Sequence, residues 1–304
     1  MKDRSSFTAE TMALQRAFES HRPADDRLFT DVYADAFLRG PLRAVAAASK
    51  VPILRGLVAV LYDAIAGTGP RPSAIVRSRV IDDLTTALAP KAGQIVILGA
   101  GFDSRAHRLP ALVSKRVFEV DHPSTQRTKR RIIGQIGLYH PGLSYVPVDF
   151  ERDALDKRLV AGGFDRKASA LYLWEGVTNY LTAEAVGRTL TTVRSLSTMG
   201  GILIFTYVHA GVLDGSVEFP EARRWLASVR KIGEPWTFGF RPETLGAYLD
   251  TQGYTLESDI SVAEARDRLA ANQRRLQGAS GLYHVAVARF DSPARGTARL
   301  DRTA

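Results

Sequence analysis

The stretch 94–121, QIVILGAGFDSRAHRLPALVSKRVFEVD, leaves few folds open to this chain. Its apolar run Ile95-Val96-Ile97-Leu98 reads as a strand buried on both faces, as in a parallel sheet. Gly99-Ala100-Gly101 and the polar turn Phe102-Asp103-Ser104-Arg105 follow, and a second β-rich run, Val117-Phe118-Glu119-Val120, stops on Asp121. Strand, glycine turn, short helix and a strand ending on a carboxylate is how α/β proteins hold a nucleoside-containing cofactor. Glycine lets the backbone approach the ligand closely, and Asp121 can accept from both ribose hydroxyls.

The dinucleotide fingerprint asks for G-x-G-x-x-G, and Ser104 stands where the third glycine would be. A ligand with a ribose but no pyrophosphate, such as S-adenosylmethionine (SAM), needs the turn and the carboxylate but no anion site at a helix terminus. The stretch therefore favours SAM over NAD.

The rest of the chain narrows the class. With 304 residues, 45% of them hydrophobic, it fits one large α/β domain with elaborations or two small domains. No cysteine is present, which excludes a disulfide framework, a thiolate nucleophile and a cysteine metal site. The six histidines show no H-E-x-x-H spacing, so no metal is expected. The net charge of +9 is spread along the chain as scattered arginines, with no basic run longer than Lys129-Arg130-Arg131 and no N-P-P-Y motif. That pattern argues against a nucleic-acid partner and fits a solvated basic surface or the attraction of an anionic substrate. The opening MKDRSSFTAETMALQ lacks an apolar signal core. The longest apolar stretch, 51–66, contains Arg55 and Asp63 and is short for a membrane span. The expectation is a cytoplasmic protein with no membrane partner.

Residues 1–90 read as a helical region packed on the core, with helices over 8–19, over 41–66 with a break near Pro52, and over 74–88 with Ser73 as cap. Gly67-Thr68-Gly69-Pro70 is a breaker. Ile81, Leu84 and Leu88 mark one helical face. Arg77 and Arg79 fall in early turns of that helix, where cations are disfavoured; they are either surface charges or at least one of them meets a ligand carboxylate. From 91 the rhythm alternates, with strands expected at 95–98, 116–120, 144–148, 169–174, 202–207, 254–258 and 282–289. Seven such strands fit one doubly wound Rossmann-like α/β sheet, with a cap inserted after the fifth strand at about 208–252, a core ending near 290 and a frayed tail over 291–304.

Ligands of such sheets bind beyond the carboxyl ends of the strands. Those ends carry Gly99-Ala100-Gly101, Asp121-His122, Asp149-Phe150, Glu175 and Tyr207-Val208-His209. For SAM, Asp121 would hold the ribose, Asp149 the adenine amino group with Phe150 against the ring, Glu175 the sulfonium or amino group, and Arg79 the methionine carboxylate. His209 is a candidate general base or a histidine of structural role only. Phe219, Trp225, Trp236, Phe238 and Phe240 in the cap either wall a pocket for a flat, apolar acceptor or dock the cap.

The segments VRSRVIDD, VILGAGFDSRAHRL, VFEVDHPSTQRTK, VPVDF and YLWEGVTNYL resemble the leucine carboxyl methyltransferase family, and within it the bacterial SAM-dependent O-methyltransferases that include polyketide-tailoring enzymes. The likeness runs from about 29 to 289. It implies a class I SAM-methyltransferase fold with an N-terminal helical region and the cap. It also implies SAM contacts at Arg79, Gly99, Asp121, Asp149 with Phe150, and Glu175, and places Tyr180 near the reaction centre. Phe150 departs from the leucine common there. The implied activity is methyl transfer from SAM, leaving S-adenosylhomocysteine, to a carboxylate or phenol/enol oxygen of a small apolar or aromatic molecule, in secondary metabolism. The alternatives are a protein C-terminal carboxyl methyltransferase and a SAM-binding protein of non-methylating chemistry. The oligomeric state stays open.

Overall fold

A computed structural model describes residues 7–150 and 152–292. From 293 onward, the tail expected over 291–304 lies outside the described residues. The N-terminal region forms helices α1 (Phe7–Ser20), α2 (Gly40–Ser49), α3 (Pro52–Ala66) and α4 (Pro70–Leu88). The break at Pro52 is present, because a proline opens α3. Helix α4 begins at Pro70 rather than 74 for the same reason, since proline is preorganised for the first helical position. Ser73 therefore lies inside the helix, and its Oγ accepts from the Ser280 N–H at 2.9 Å instead of capping.

The alternating part runs β1 (Gln94–Leu98), α5 (Arg105–Arg108), β2 (Arg116–Asp121), α6 (Pro123–Gln135), β3 (Leu143–Pro147), α7 (Leu155–Ala161), β4 (Ala170–Trp174), α8 (Ala183–Leu196) and β5 (Gly201–Val208). There follow α9 (Gly211–Asp214), α10 (Ala222–Lys231), α11 (Pro242–Thr251), β6 (Thr255–Ser261), α12 (Val262–Ala270) and β7 (Tyr283–Phe290). The seven strands form one sheet in the order β3-β2-β1-β4-β5-β7-β6. β1 to β5 are parallel, and β7 inserts antiparallel between β5 and β6.

Strand alternation splits the core. Ile95 and Ile97 of β1 face one side with Leu171, Ile202, Ile204 and helix residues Ile75, Val76 and Ile81. Val96 and Leu98 face the other with Tyr172, Trp174, Phe205, Leu190 and Leu249. β1 is buried at all five positions, which is why its sequence reads as an unbroken apolar run. The N-terminal helices dock at the carboxyl edge: Phe37 stacks on Phe102 of the β1 turn at 5.0 Å, and Ile132 and Ile133 of α6 join the same cluster.

A buried ion pair fixes α6 against β2. Lys129 Nζ lies 2.6 Å from Glu119 Oε2, with both side chains almost wholly enclosed. Burial pushes the Glu119 carboxyl up to about 7 despite Lys129 beside it. The folded form thus holds a proton that the unfolded chain gives up near 4.5, and this contribution is full below 4.5 and is lost as pH rises through about 7. Lys129→Met strands the carboxylate and should cost about 3–5 kcal/mol at pH 8, as buried ion pairs do when one partner is removed. The cost should shrink at pH 5, where Glu119 is protonated. Urea denaturation at the two pH values checks it, and a pH-independent cost would show that the pair is not what couples α6 to β2.

Candidate cofactor site

The carboxyl ends of β1, β2 and β4 lie side by side, because β1 sits between the other two. At the end of β1 the chain turns sharply. Gly99 has a φ of +67°, and a Cβ there would lie 2.3 Å from Val177 Cγ2, so only glycine fits. Asp121, ending β2, reaches across to the turn: its carboxylate accepts from the N–H of Gly101 and, at 2.6 Å, from that of His122. Burial raises the Asp121 carboxyl in spite of these donors. Ala100 is buried and its N–H donates to Val120 O at 2.9 Å. His122 is the N-cap of α6, with Nδ1 accepting from the Ser124 N–H at 3.3 Å. Its ring serves the helix, while its backbone N–H serves Asp121.

Glu175 follows β4 in a loop pinned to β5. The Gly176 N–H donates to Thr206 Oγ1 at 2.8 Å, and Thr178 Oγ1 donates to Thr206 O at 2.7 Å. The Glu175 carboxylate is clasped by two arginines, Arg77 Nε at 2.9 Å and Arg105 Nη1 at 2.7 Å. Burial alone would raise it, but Arg105 and Arg77 hold it below the ordinary glutamate range. Arg77 also lies over the ring of Tyr283, 4.9 Å from its centroid.

The structure thus brings Arg77 to Glu175 and leaves Arg79 elsewhere. Arg79 lies on the exposed side of α4, bonded to Asp83 at 2.8 Å and to Leu28 O. The reason is helical geometry: two residues apart is about 200° around the axis, so when one arginine faces inward the other faces out. Arg77 sits one turn before buried Ile81, and Thr85 continues the stripe.

Sequence reasoning missed the rest of this charge system. Arg105 also binds Asp82 at 2.7 Å and Asp103 at 2.6 Å. Arg108 joins Asp82 at 2.6 Å to Asp31 at 4.0 Å, and Arg16 binds Asp31 at 2.8 Å. Four arginines (16, 77, 105, 108) and four carboxylates (31, 82, 103, 175) form one continuous, charge-balanced relay from α1 through α4 and α5 to β4. The FDSR turn and the VRSRVIDD helix hold most of it, but their pairing is long-range and local periodicity does not display it.

Asp149 follows β3, with its backbone N–H donating to the Asp153 carboxylate at 2.9 Å and its own carboxylate 3.9 Å from Arg152 Nε. Phe150 packs, partly buried, with Val177 on the same core cluster. Tyr180 lies in a turn after Glu175, its phenol raised by burial. Tyr283, Trp225 and Trp236 cluster with ring centroids 5.3–5.6 Å apart, and Tyr180 packs against the same core. The cap is tied to this loop, since the Thr237 N–H donates to Asn179 O at 2.8 Å. His209 is held by its own turn: Nδ1 accepts from the Gly211 N–H at 3.0 Å. The neutral ring therefore carries its proton on Nε2. Among the described residues no cluster of metal-ligating side chains occurs.

Strand order, glycine turn and the acid ending β2 define the class I SAM-methyltransferase fold. Comparison with known proteins gives the family: residues 9–194 match leucine carboxyl methyltransferase. A Parafrankia protein, provisionally named a SAM-dependent methyltransferase, is 38% identical over 278 residues, covering 87% of this chain and 82% of that one. A Frankia alni protein of the same provisional name is 36% identical over 206 residues, covering 66% and 68% of the two chains. A crystal structure from Thermobifida fusca, also provisionally called a methyltransferase, superposes with a TM-score of 0.58 at 17% identity, covering 95% of this chain and 96% of that one. The chain belongs to the leucine carboxyl methyltransferase family and is a SAM-dependent methyltransferase.

Arg105 faces three carboxylates at once, so its removal should be costly. Arg105→Met should lower stability by about 3–5 kcal/mol in urea denaturation, as loss of one member of a buried ion network does. Arg79→Met, at an exposed pair, should stay within about 1 kcal/mol. Equal losses in the two variants would show that the relay carries no special weight.

Proposed function

We propose that this chain is an O-methyltransferase that holds SAM across the ends of β1, β2 and β4 and methylates a carboxylate or phenol/enol oxygen of a small acceptor. The observation that carries the reading is the Arg77–Glu175 pair at the end of β4. A guanidinium beside a carboxylate complements the carboxylate and ammonium of an amino acid. Such a zwitterion adds no net charge to a relay that is already balanced. In this reading Arg77, rather than Arg79, takes the methionine carboxylate, and Glu175 takes the amino group. Asp121 takes the ribose hydroxyls, Gly99 to Gly101 let the ligand approach the backbone, and Asp149 and Phe150 take the adenine.

When bound, SAM supplies a sulfonium-borne methyl for in-line displacement. The protein's share is alignment, worth on the order of 7–11 kcal/mol at best. The packed rings of Trp225, Trp236 and Tyr283 beside Arg77, with Tyr180 against the same core, support a flat, apolar acceptor. In this reading His209 is not assigned as a base, since the Gly211 N–H bonds Nδ1 and the neutral ring then carries its proton on Nε2. Burial also lowers its proton affinity. An acceptor that arrives ionised, a carboxylate above all, needs no base. A place in secondary metabolism accords with this acceptor chemistry.

Calorimetry with S-adenosylhomocysteine tests the cofactor assignment. Arg77→Met and Asp121→Ala should each weaken binding, Arg77→Met by about 1.5–3 kcal/mol, the worth of a charge-assisted hydrogen bond. Arg79→Met should change it by less than about 0.5 kcal/mol. Wild-type affinity in the first two would refute the site. S-adenosylhomocysteine release during turnover with aromatic carboxylic acids and phenols, and not with peptides, is the result expected for a small-molecule acceptor.

A further inference from the structure

Helix α3 is amphipathic in the inverted sense. Its only polar side chains, Arg55, Tyr62 and Asp63, occupy half-buried positions on the protein side. Tyr62 meets the Gln15 amide there, and Asp63 binds Arg71 at 2.9 Å. Every exposed position from 53 to 65 is apolar. Ile53 is 85% exposed, Ile65 83%, Val60 65%, Leu57 56% and Leu61 55%. A contiguous apolar face of this kind marks an interaction surface.

Unpaired arginines lie beside this face. Arg43 lies exposed on α2, and Lys50, which follows that helix, is paired with Asp35 at 2.7 Å. At the other end, Arg224 of α10 packs its side chain beside Gly67, with Arg223 exposed next to it. Arg43, Arg223 and Arg224 form no ion pair among the described residues. An apolar stripe flanked by unpaired arginines is complementary to an anionic, apolar-cored surface.

We propose that α3 and the flanking cations dock this protein in the plane of an anionic lipid surface. No described helix is long and apolar enough to cross a membrane, and an interfacial helix need not be. The expectation of no membrane partner rested on span length, which does not bear on a helix lying flat. Docking through α3 also sets α10 toward the lipid, and Trp225 of α10 packs on Tyr283 beneath Arg77.

Co-sedimentation of the full chain with phosphatidylcholine vesicles, with and without phosphatidylglycerol, tests the proposal. The wild type should pellet with the anionic vesicles only, and less so as salt rises. Leu57→Gln/Leu61→Gln, at exposed positions, should weaken vesicle binding about tenfold or more while S-adenosylhomocysteine binding stays unchanged. Arg223→Glu/Arg224→Glu should weaken it by about tenfold or more and flatten the salt dependence. Absence of binding to anionic vesicles, or undiminished binding by the Leu57→Gln/Leu61→Gln variant, would overturn the proposal. So would a wild-type dimer that this variant dissolves in the absence of any vesicle binding, which would assign the face to a second copy.

Discussion

Seven alternating charges in a line from Arg16 to Arg77, with Asp103 branching from Arg105, tie the N-terminal helices to the sheet. Burying that many ions is costly unless each meets its counter-charge, so the partners must arrive together. α1 contributes Arg16, α4 contributes Arg77 and Asp82, α5 contributes Arg105 and Arg108, and the β4 loop contributes Glu175. None of these elements neutralises itself. The helical region is therefore part of the site's construction, and Glu175 is positioned by residues as distant in sequence as α1.

The sheet supplies the other half. With β1 central and β2 and β4 beside it, the turn at Gly99, the carboxylate of Asp121 and the loop of Glu175 share one edge. Thr206 of β5 pins the Glu175 loop from beyond, and the cap's Thr237 ties onto the same loop at Asn179. The cap and the cofactor edge are thereby coupled through a few backbone hydrogen bonds. That coupling bears on how an acceptor and SAM can be presented to each other.

Much of this was legible in the sequence. Strands buried on both faces, β1 and β4 above all, read as apolar runs, while the half-exposed β3 and β6 are legible from β-rich segments between turns and helices, and their alternation with helices points to the fold class. Strand-end acids were legible because an unpaired acid is rarely tolerated inside an apolar run; Glu119, inside β2, is the exception, and it is met by the buried Lys129. Helix faces were less legible. Arg77 and Arg79 look equivalent by composition, yet counting back four from Ile81 selects Arg77, a step the apolar pattern alone did not force. The partners of Arg105 lie far along the chain at Asp82 and Glu175, and no local period records such pairings. The start of α4 at Pro70 is not legible from pattern, because a proline after two glycines reads as a breaker although it equally opens a helix. The aromatic residues of the cap pack on Tyr283, a contact between distant segments that spacing could not show.

The account rests on one placement, an amino-acid-bearing nucleoside lying between Asp121 and the Arg77–Glu175 pair. A crystal structure of the chain with S-adenosylhomocysteine measures it directly. The predicted result is a ribose bonded to the Asp121 carboxylate, with the carboxylate of the amino-acid moiety on Arg77 and its amino group at Glu175. A ligand whose carboxylate sits on Arg79, or whose ribose lies away from the end of β2, would contradict it.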